Sequence, residues 1–203
     1  MSTILSHSFE EYARMVEAFH GNTAPGLMVG GFMVDLALKN MPEGDVICET
    51  VNCLPDAVQL LTPCSIGNKW LTIIDTGRFA LAFYDKRTGE GLRVYIDAPR
   101  LDAWPQIKGW FMKLIPKAEQ DKGLLMEEIE RAGSSLCATE PIRVSLDLVK
   151  KEKGGPIVLC PSCKEAYPSS RGAICPACKG GLLPYASGPR GGGTVKIREC
   201  IGE

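Results

Sequence analysis

Phe79-Ala-Leu-Ala-Phe-Tyr-Asp-Lys-Arg-Thr-Gly-Glu-Gly-Leu-Arg-Val-Tyr-Ile96 decides the fold class. Phe79, Leu81 and Phe83 recur at every second position, as do Leu92, Val94 and Ile96, and the turn residues Lys86-Arg87-Thr88-Gly89 lie between them. That period places each apolar set on one face of a strand, so the stretch predicts a hairpin with a half-buried surface. Outward from it, Trp70–Ile74 and Asp45–Val51 predict further strands. Ile142, Val144, Leu146 and Leu148, alternating with Arg143, Ser145 and Asp147, predict a last one. Helical signals lie apart from these. Ser8 followed by Glu11 is a capping box that opens a helix reaching about Phe19. Pro25 suits the first turn of a second helix running to Lys39, with Leu27, Gly30, Gly31, Val34 and Leu38 along one side. Pro55–Leu61, Trp104–Ile115 and Ala118–Ala132 complete the helical set. Helices and antiparallel strands in separate blocks make the class α+β. The adjacent glycines predict a close approach by another backbone or a ligand.

The chain has 203 residues, 45% of them apolar, with 23 basic and 24 acidic side chains. This composition excludes collagen, a disordered tail and a disulfide miniprotein. No apolar window has spanning length, because Asp75 and Arg78 break the best candidate, so no membrane partner is expected. The first residues lack both a basic start and an apolar stretch of signal-peptide length, so a cytoplasmic protein is expected. Charge divides unevenly: 15 basic and 20 acidic groups in residues 1–150, then 8 and 4 in residues 151–203. Lys150-Lys151-Glu152-Lys153-Gly154-Gly155-Pro156 reads as a linker, giving a core domain over 1–153 and a second domain over 154–203.

Nine cysteines, an odd number, point to metal ligation or reactive thiols rather than a disulfide framework. Cys160-Pro-Ser-Cys163 and Cys175-Pro-Ala-Cys178 are two C-x-x-C knuckles eleven residues apart. Each knuckle can direct two sulfurs at one ion, and two of them complete a tetrahedron around a structural Zn²⁺, with Cys200 left free. Iron–sulfur ligation is disfavoured by the wide separation of the knuckles. The basic excess, with Arg171, Lys179, Arg190, Lys196 and Arg198, admits a nucleic-acid contact. Only Tyr167 and Tyr185 could stack on bases, so that partner is not favoured.

In the first domain, His20 stands between a helix end and the Pro25-Gly26 helix start. Cys53, Asp56 and Gln59 are spaced three apart, which aligns them on one helical face, with Glu49 and Cys64 close in sequence. A cysteine at a helix start is expected to have a lowered thiol pKa.

Phe19-His-Gly-Asn-Thr-Ala-Pro-Gly-Leu-Met-Val-Gly-Gly31 and Glu49-x-x-x-Cys53-x-x-Asp56-Ala-x-Gln59-x-x-Thr-x-Cys64-x-x-Gly67-x-x-x-Leu71, followed by Asp75-x-Gly77, resemble the paired motifs of the FmdE family of formylmethanofuran dehydrogenase proteins. The resemblance covers about residues 8–150, and a four-cysteine zinc finger is also seen in that family. It implies an α+β core domain, usually dimeric, joined to a treble-clef-like finger, and a metal-binding cleft around His20 and Cys53 with Asp56 and Cys64 nearby. Asn22 stands where the family commonly has a second His, and Ala24 where it has Cys, so two soft-metal ligands are missing. A second metal on His20, Cys53 and Cys64 would complete its shell with water or a partner side chain.

Three functions follow. The resemblance implies an accessory protein of one-carbon metabolism, associated with the subunits of a redox complex, since nothing here resembles a molybdopterin site, a ferredoxin cluster or a dinucleotide fingerprint. The alternatives are a small-molecule-binding or hydrolytic metalloprotein acting through His20, Cys53 and Asp56, and a zinc-ribbon regulator contacting nucleic acid or protein. The first is the expectation carried forward, as a homodimer.

Overall fold

The computed structural model describes residues 2–150 and 155–180. Arg190, Lys196, Arg198, Tyr185, Cys200 and most of the linker lie outside the described residues. The chain divides into two compact units, the first ending at Lys150.

The first unit opens with a two-stranded ribbon, β1 (Thr3–Ile4) and β2 (His7–Ser8), that leads into α1 (Phe9–His20). The capping box forms as its sequence requires: the Ser8 hydroxyl accepts from Glu11 N, and the Glu11 carboxylate accepts from Ser8 N. Gly21, at φ +84°, ends the helix in the left-handed conformation. Next come α2 (Pro25–Asn40), β3 (Asp45–Cys48), α3 (Leu54–Leu61), β4 (Leu71–Ile73), β5 (Ala80–Tyr84), β6 (Glu90–Ile96), α4 (Pro105–Phe111), α5 (Lys122–Ala132) and β7 (Cys137–Arg143).

The five longer strands form one sheet in the order β4-β3-β5-β6-β7. The predicted hairpin is β5–β6, with Leu81 opposite Val94 and Phe83 opposite Leu92. The sheet is not wholly antiparallel, because β3 and β4 run parallel. Their connection passes through α3, and a helical crossover returns the chain in the same direction. One sheet face, with Val46, Cys48, Leu81, Phe83, Leu92, Val94 and Ile96, joins the main core. The opposite face carries Ile47, Ala82 and Tyr84, packed by Ile142, Val144, Leu146 and Val149.

That second cluster corrects the expected last strand. β7 runs Cys137–Arg143, and residues 144–148 leave the ladder after Val144 N donates to Gly89 O at 2.7 Å. The alternation at Ile142, Val144 and Leu146 reports real burial against the sheet, within the ladder at Ile142 and beyond it at Val144 and Leu146, and Leu148 points to solvent. Two helices are also shorter than expected. α4 starts at Pro105 and ends at Phe111, just before Lys113 takes the left-handed conformation at φ +54°, and α5 starts at Lys122, where Asp121 caps Leu124 N.

The second helix is not amphipathic. Gly26 to Asp35 and Ala37 are all buried, because α2 packs against α1, α3, α5, β5 and β6 together. Its glycines permit this. A Cβ on Gly31 would lie 2.5 Å from the Tyr12 ring of α1, and one on Gly30 would lie 2.8 Å from Ala57 of α3. The close approach predicted from these glycines is thus made by the side chains of the protein's own helices, not by a ligand. Tyr12, fully buried, donates its hydroxyl to Leu27 O at 3.0 Å and is fixed in place.

Gly31→Ala is expected to destabilise the first unit by about 1–2 kcal/mol, overpacking against Tyr12 exceeding the gain in helix propensity. Gly67→Ala, where a Cβ meets only Ser65 Oγ at 3.9 Å, is expected to change stability by less than about 0.5 kcal/mol. Denaturant unfolding of the two variants checks the contrast.

Candidate functional site: a cysteine cluster and a His–Asp pair

In the second unit, β8 (Ile157–Leu159) and β9 (Ala166–Pro168) pair antiparallel, and the first knuckle lies in the turn between them. Cys160 N donates to Glu165 O, and Lys164 N donates back to Cys160 O, folding Cys160 and Cys163 towards one point. The second knuckle closes similarly, with Lys179 N donating to Cys175 O. Cys160, Cys163, Cys175 and Cys178 bring their sulfurs within 4.8 Å of one another. Cys163 Sγ and Cys175 Sγ are 3.8 Å apart. Sulfurs at ~2.3 Å from a tetrahedral zinc are separated by ~3.8 Å, so the donor set fits Zn²⁺. Backbone hydrogen bonds from Cys163 and Cys175 hold the Cys160 thiol below its ordinary value, while burial and the neighbouring cysteines leave the Cys163 and Cys175 thiols above theirs, so binding of the metal itself drives the remaining thiols to thiolate. Tyr167, a possible stacking residue on sequence grounds, is buried here and donates to Gly172 O at 2.8 Å, so it belongs to the unit's small core.

In the first unit, His20 is the last residue of α1 and Asp56 lies in the first turn of α3. His20 Nδ1 and Asp56 Oδ2 are 3.0 Å apart, with both side chains about a third exposed. The position suits both partners: an imidazole at a helix C-terminus and a carboxylate at a helix N-terminus each complement the local dipole. An Nδ1–H donated to Asp56 leaves the Nε2 lone pair available to a ligand or a proton.

Cys53 is the residue before α3 and has φ +48°, a conformation unusual for a residue with a side chain. It is pressed against α2: a Cβ on Gly26 would lie 2.8 Å from Cys53 Sγ and 3.8 Å from the Phe79 ring. Phe79 in turn meets Phe111 edge-on at 6.1 Å. The thiol pKa of Cys53 is raised, contrary to expectation, first by burial and then by the Asp56 carboxylate. Half-burial and a nearby negative charge outweigh the short helix's dipole.

Cys64 is placed elsewhere. It lies past the end of α3, a helix of eight residues spanning ~12 Å, and its thiol donates to Gly44 O at 3.4 Å. Gln59 turns to accept from Ile66 N at 3.4 Å. Asn22 is exposed, and Ala24 precedes α2 without a side-chain cap. Among the described residues, the four cysteines of the second unit are the one group of three or more metal-binding side chains close enough to share an ion. His20, Cys53 and Asp56 form no such group, and neither do His20, Cys53 and Cys64.

Glu49, at the end of β3, has a role that sequence spacing did not show. Its carboxylate takes a two-pronged bond from Arg93, Nε to Oε1 at 2.6 Å and Nη2 to Oε2 at 3.0 Å, and a third contact from Arg78 Nε at 2.8 Å. Its backbone carbonyl also accepts from Thr76 N, so Glu49 fastens the loop that carries Phe79. Arg93 sits between Leu92 and Val94, hence on the sheet face opposite the main core. That much was available from alternation, but its partner depended on strand order. Burial pushes the Glu49 carboxyl up, but the hydrogen bonds and charge of Arg93, aided by Arg78 and Thr76, outweigh it and leave the pKa below its ordinary value.

A depressed folded-state pKa contributes stability that is fully present above the unfolded value of about 4.3 and is lost as pH falls through the folded value. The first unit is therefore expected to lose stability below that pH, and Glu49→Gln to flatten the acid limb while costing about 3 kcal/mol at neutral pH. Denaturant unfolding against pH checks both.

One zinc per chain is expected by elemental analysis. Cys178→Ser is expected to abolish metal retention and the fold of the second unit while the unfolding transition of the first is unchanged.

The model of the family described as FmdE, molybdenum formylmethanofuran dehydrogenase operon, matches residues 19–144, and that of the FmdE treble clef zinc finger matches residues 151–186. Among solved structures, a tungsten formylmethanofuran dehydrogenase FmdE-like protein from Syntrophus aciditrophicus is 50% identical. It covers 92% of this chain and 100% of its own, with a TM-score of 0.83. A curated relative from Archaeoglobus fulgidus, named "Probable S-adenosyl-L-methionine-binding protein", is 29% identical over 88% of this chain. This chain spans 54% of that relative's length.

Proposed function

The chain belongs to the FmdE family and carries its treble clef zinc finger, and from that premise we propose that it is an accessory protein whose core domain takes a ligand in a cleft at His20, Cys53 and Asp56. The observation that carries this reading is the 3.0 Å contact between His20 and Asp56. It joins the end of one helix to the start of another and fixes the imidazole, and the same Asp56 carboxylate is near enough to the half-buried Cys53 thiol to raise its pKa. An Nε2 and a sulfur make a mixed donor pair suited to zinc or a softer divalent ion. An ion bound there would supply Lewis acidity towards an oxygen atom of a small ligand. Two donors, without the His and Cys that resembling proteins carry at the positions of Asn22 and Ala24, make for exchangeable binding rather than a resident cofactor. The zinc finger, with its closed set of four thiolates, serves structure. The name of the Archaeoglobus fulgidus relative assigns a small-molecule ligand to that protein, which agrees with a binding role here. Homodimerisation and association with the subunits of a redox complex belong to the same proposal.

A second reading, a metal-dependent enzyme, draws on one feature. Asp56 orients His20 as a carboxylate orients a general base. The raised thiol pKa of Cys53 keeps it protonated near neutral pH, which favours a ligand role that metal binding itself enforces over a free thiolate nucleophile.

Co²⁺ titration of the zinc-loaded protein tests the cleft. One further equivalent is expected to bind with a thiolate-to-cobalt absorption band. Cys53→Ser should abolish the band, and Asp56→Asn, by releasing the imidazole, should weaken binding about 10- to 100-fold. Binding that is absent, or unaltered by both substitutions, refutes the cleft.

A further inference from the structure

In the second unit, β8 is paired on one side only among the described residues, by β9. Cys160 N donates to Glu165 O at one end of this ribbon, and Ser169 N donates to Pro156 O at the other. These two bonds fix the phase of the ladder. Alternate residues of an antiparallel pair bond across it, so Val158 faces β9, while the N–H and C=O of Ile157 and Leu159 point outward. Pro168, which has no N–H, accordingly stands opposite Ile157. Among the described residues, no hydrogen bond meets Ile157 or Leu159 on that outer side. Their side chains share one face and are 66% and 68% exposed. A free edge is ordinarily guarded by charge or proline. β7, at the edge of the larger sheet, has Pro141 with Glu140 and Arg143 close by, whereas β8 is Ile157-Val-Leu159, with neither guard. Charge stands instead beyond its two ends. Lys164 bonds back to Cys160 O just past Leu159, and Arg171 ends the 3-10 turn that Ser169 ties to Pro156. Both are exposed, and the described residues of this unit carry Lys164, Arg171 and Lys179 against Glu165.

We propose that the outer edge of β8 takes up an extended segment of a partner protein as a third strand, one with aliphatic residues at alternate positions and acidic residues flanking them. The main chain of that segment bonds to Ile157 and Leu159, which supplies affinity. Its aliphatic side chains cover those of the same two residues, which supplies register. Its acidic flanks meet Lys164 at one end and Arg171 at the other. A second copy of β8 fits less well, because antiparallel pairing about Val158 would bring the same cations together across the edge. A nucleic acid would leave the outward N–H and C=O groups without a matching backbone, and Tyr167 is buried and offers no stacking face. The edge shares no residue with His20, Cys53 and Asp56, so it stands or falls apart from the cleft proposed above.

The test uses the full, zinc-loaded chain and amide hydrogen exchange. Without partner, the Ile157 and Leu159 amides are expected to exchange freely at ~10 μM and ~1 mM alike, while Val158, bonded to β9, is protected. Titration with the peptide acetyl-Glu-Glu-Val-Thr-Val-Glu-Glu-amide should give saturable amide shifts at residues 157–159 and slow exchange at 157 and 159. The same peptide with lysine in place of every glutamate should bind about tenfold more weakly. N-methylation of both valines, which removes the bonding N–H groups, should abolish binding. Ile157→Asp should also abolish it, and Lys164→Glu weaken it about fivefold, both with zinc retained. Protection of Ile157 and Leu159 in the free chain overturns the proposal. Protection at every dilution would assign the edge to other residues of this chain, and protection only at high concentration to a second copy. No saturable shift up to ~5 mM overturns it equally. So does binding of the lysine peptide, or of oligouridylate at residues 157–159, as tight as that of the acidic peptide, or unaltered affinity in both substituted proteins.

Discussion

The contact on which the first unit depends is that of α2 with α1 and α3 across glycines. Gly31 admits the Tyr12 ring, Gly30 admits Ala57, and Gly26 admits Cys53, each at a distance that a Cβ would forbid. A helix surrounded in this way exposes almost no side chain, and it holds two shorter helices and a sheet against a single apolar axis. Dispersion and burial supply the attraction, and the missing Cβ atoms set how near the helices come. The Tyr12 hydroxyl, donating to Leu27 O, satisfies the one polar group that this packing drives inside on α1.

The candidate cleft follows from that arrangement. Gly26 starts α2, and the thiol pressed on it belongs to the residue that starts α3. The same packing brings the end of α1 over the first turn of α3, where His20 meets Asp56. From the sheet side, Glu49 holds Arg93 and Arg78 and thereby the loop that sets Phe79 against Cys53 and Gly26. Four segments distant in sequence therefore converge, and the unusual backbone of Cys53 is the strained element among them, a cost of order 1–3 kcal/mol that the surrounding packing sustains. The zinc unit is organised by a different principle. Its described core is little more than Cys160, Cys163, Cys175 and Tyr167, too small to fold by burial, so metal coordination replaces the hydrophobic effect as its source of stability.

Much was legible in the sequence because it rests on local rules. The capping box at Ser8, the Pro25 helix start, the Leu81/Phe83 and Leu92/Val94/Ile96 alternation and the two C-x-x-C knuckles each need only a few neighbouring residues, and each formed as expected. The family resemblance rested on other short motifs, Phe19–Gly31 and Glu49–Leu71. What local rules could not supply was direction, partner and environment. Alternation is the same for a parallel and an antiparallel strand, so the β3–β4 pairing was decided by the crossover through α3. Alternation is also the same for a strand and for a segment that packs on a sheet without bonding to it, hence residues 144–148. Two adjacent glycines announce close approach but not by what, and only packing showed that Tyr12 and Ala57 fill the space. The helix-start rule lowers a thiol pKa, yet Cys53 is raised, because burial and the charge of Asp56 act through space rather than along the chain. Cys64 lies eleven residues from Cys53 in a shared motif, and a rigid helix carries it to the other end of the site. Sequence determined which residues could do chemistry. Tertiary structure alone decided which of them meet, since every such meeting is a distance between segments that the spacing of residues does not encode.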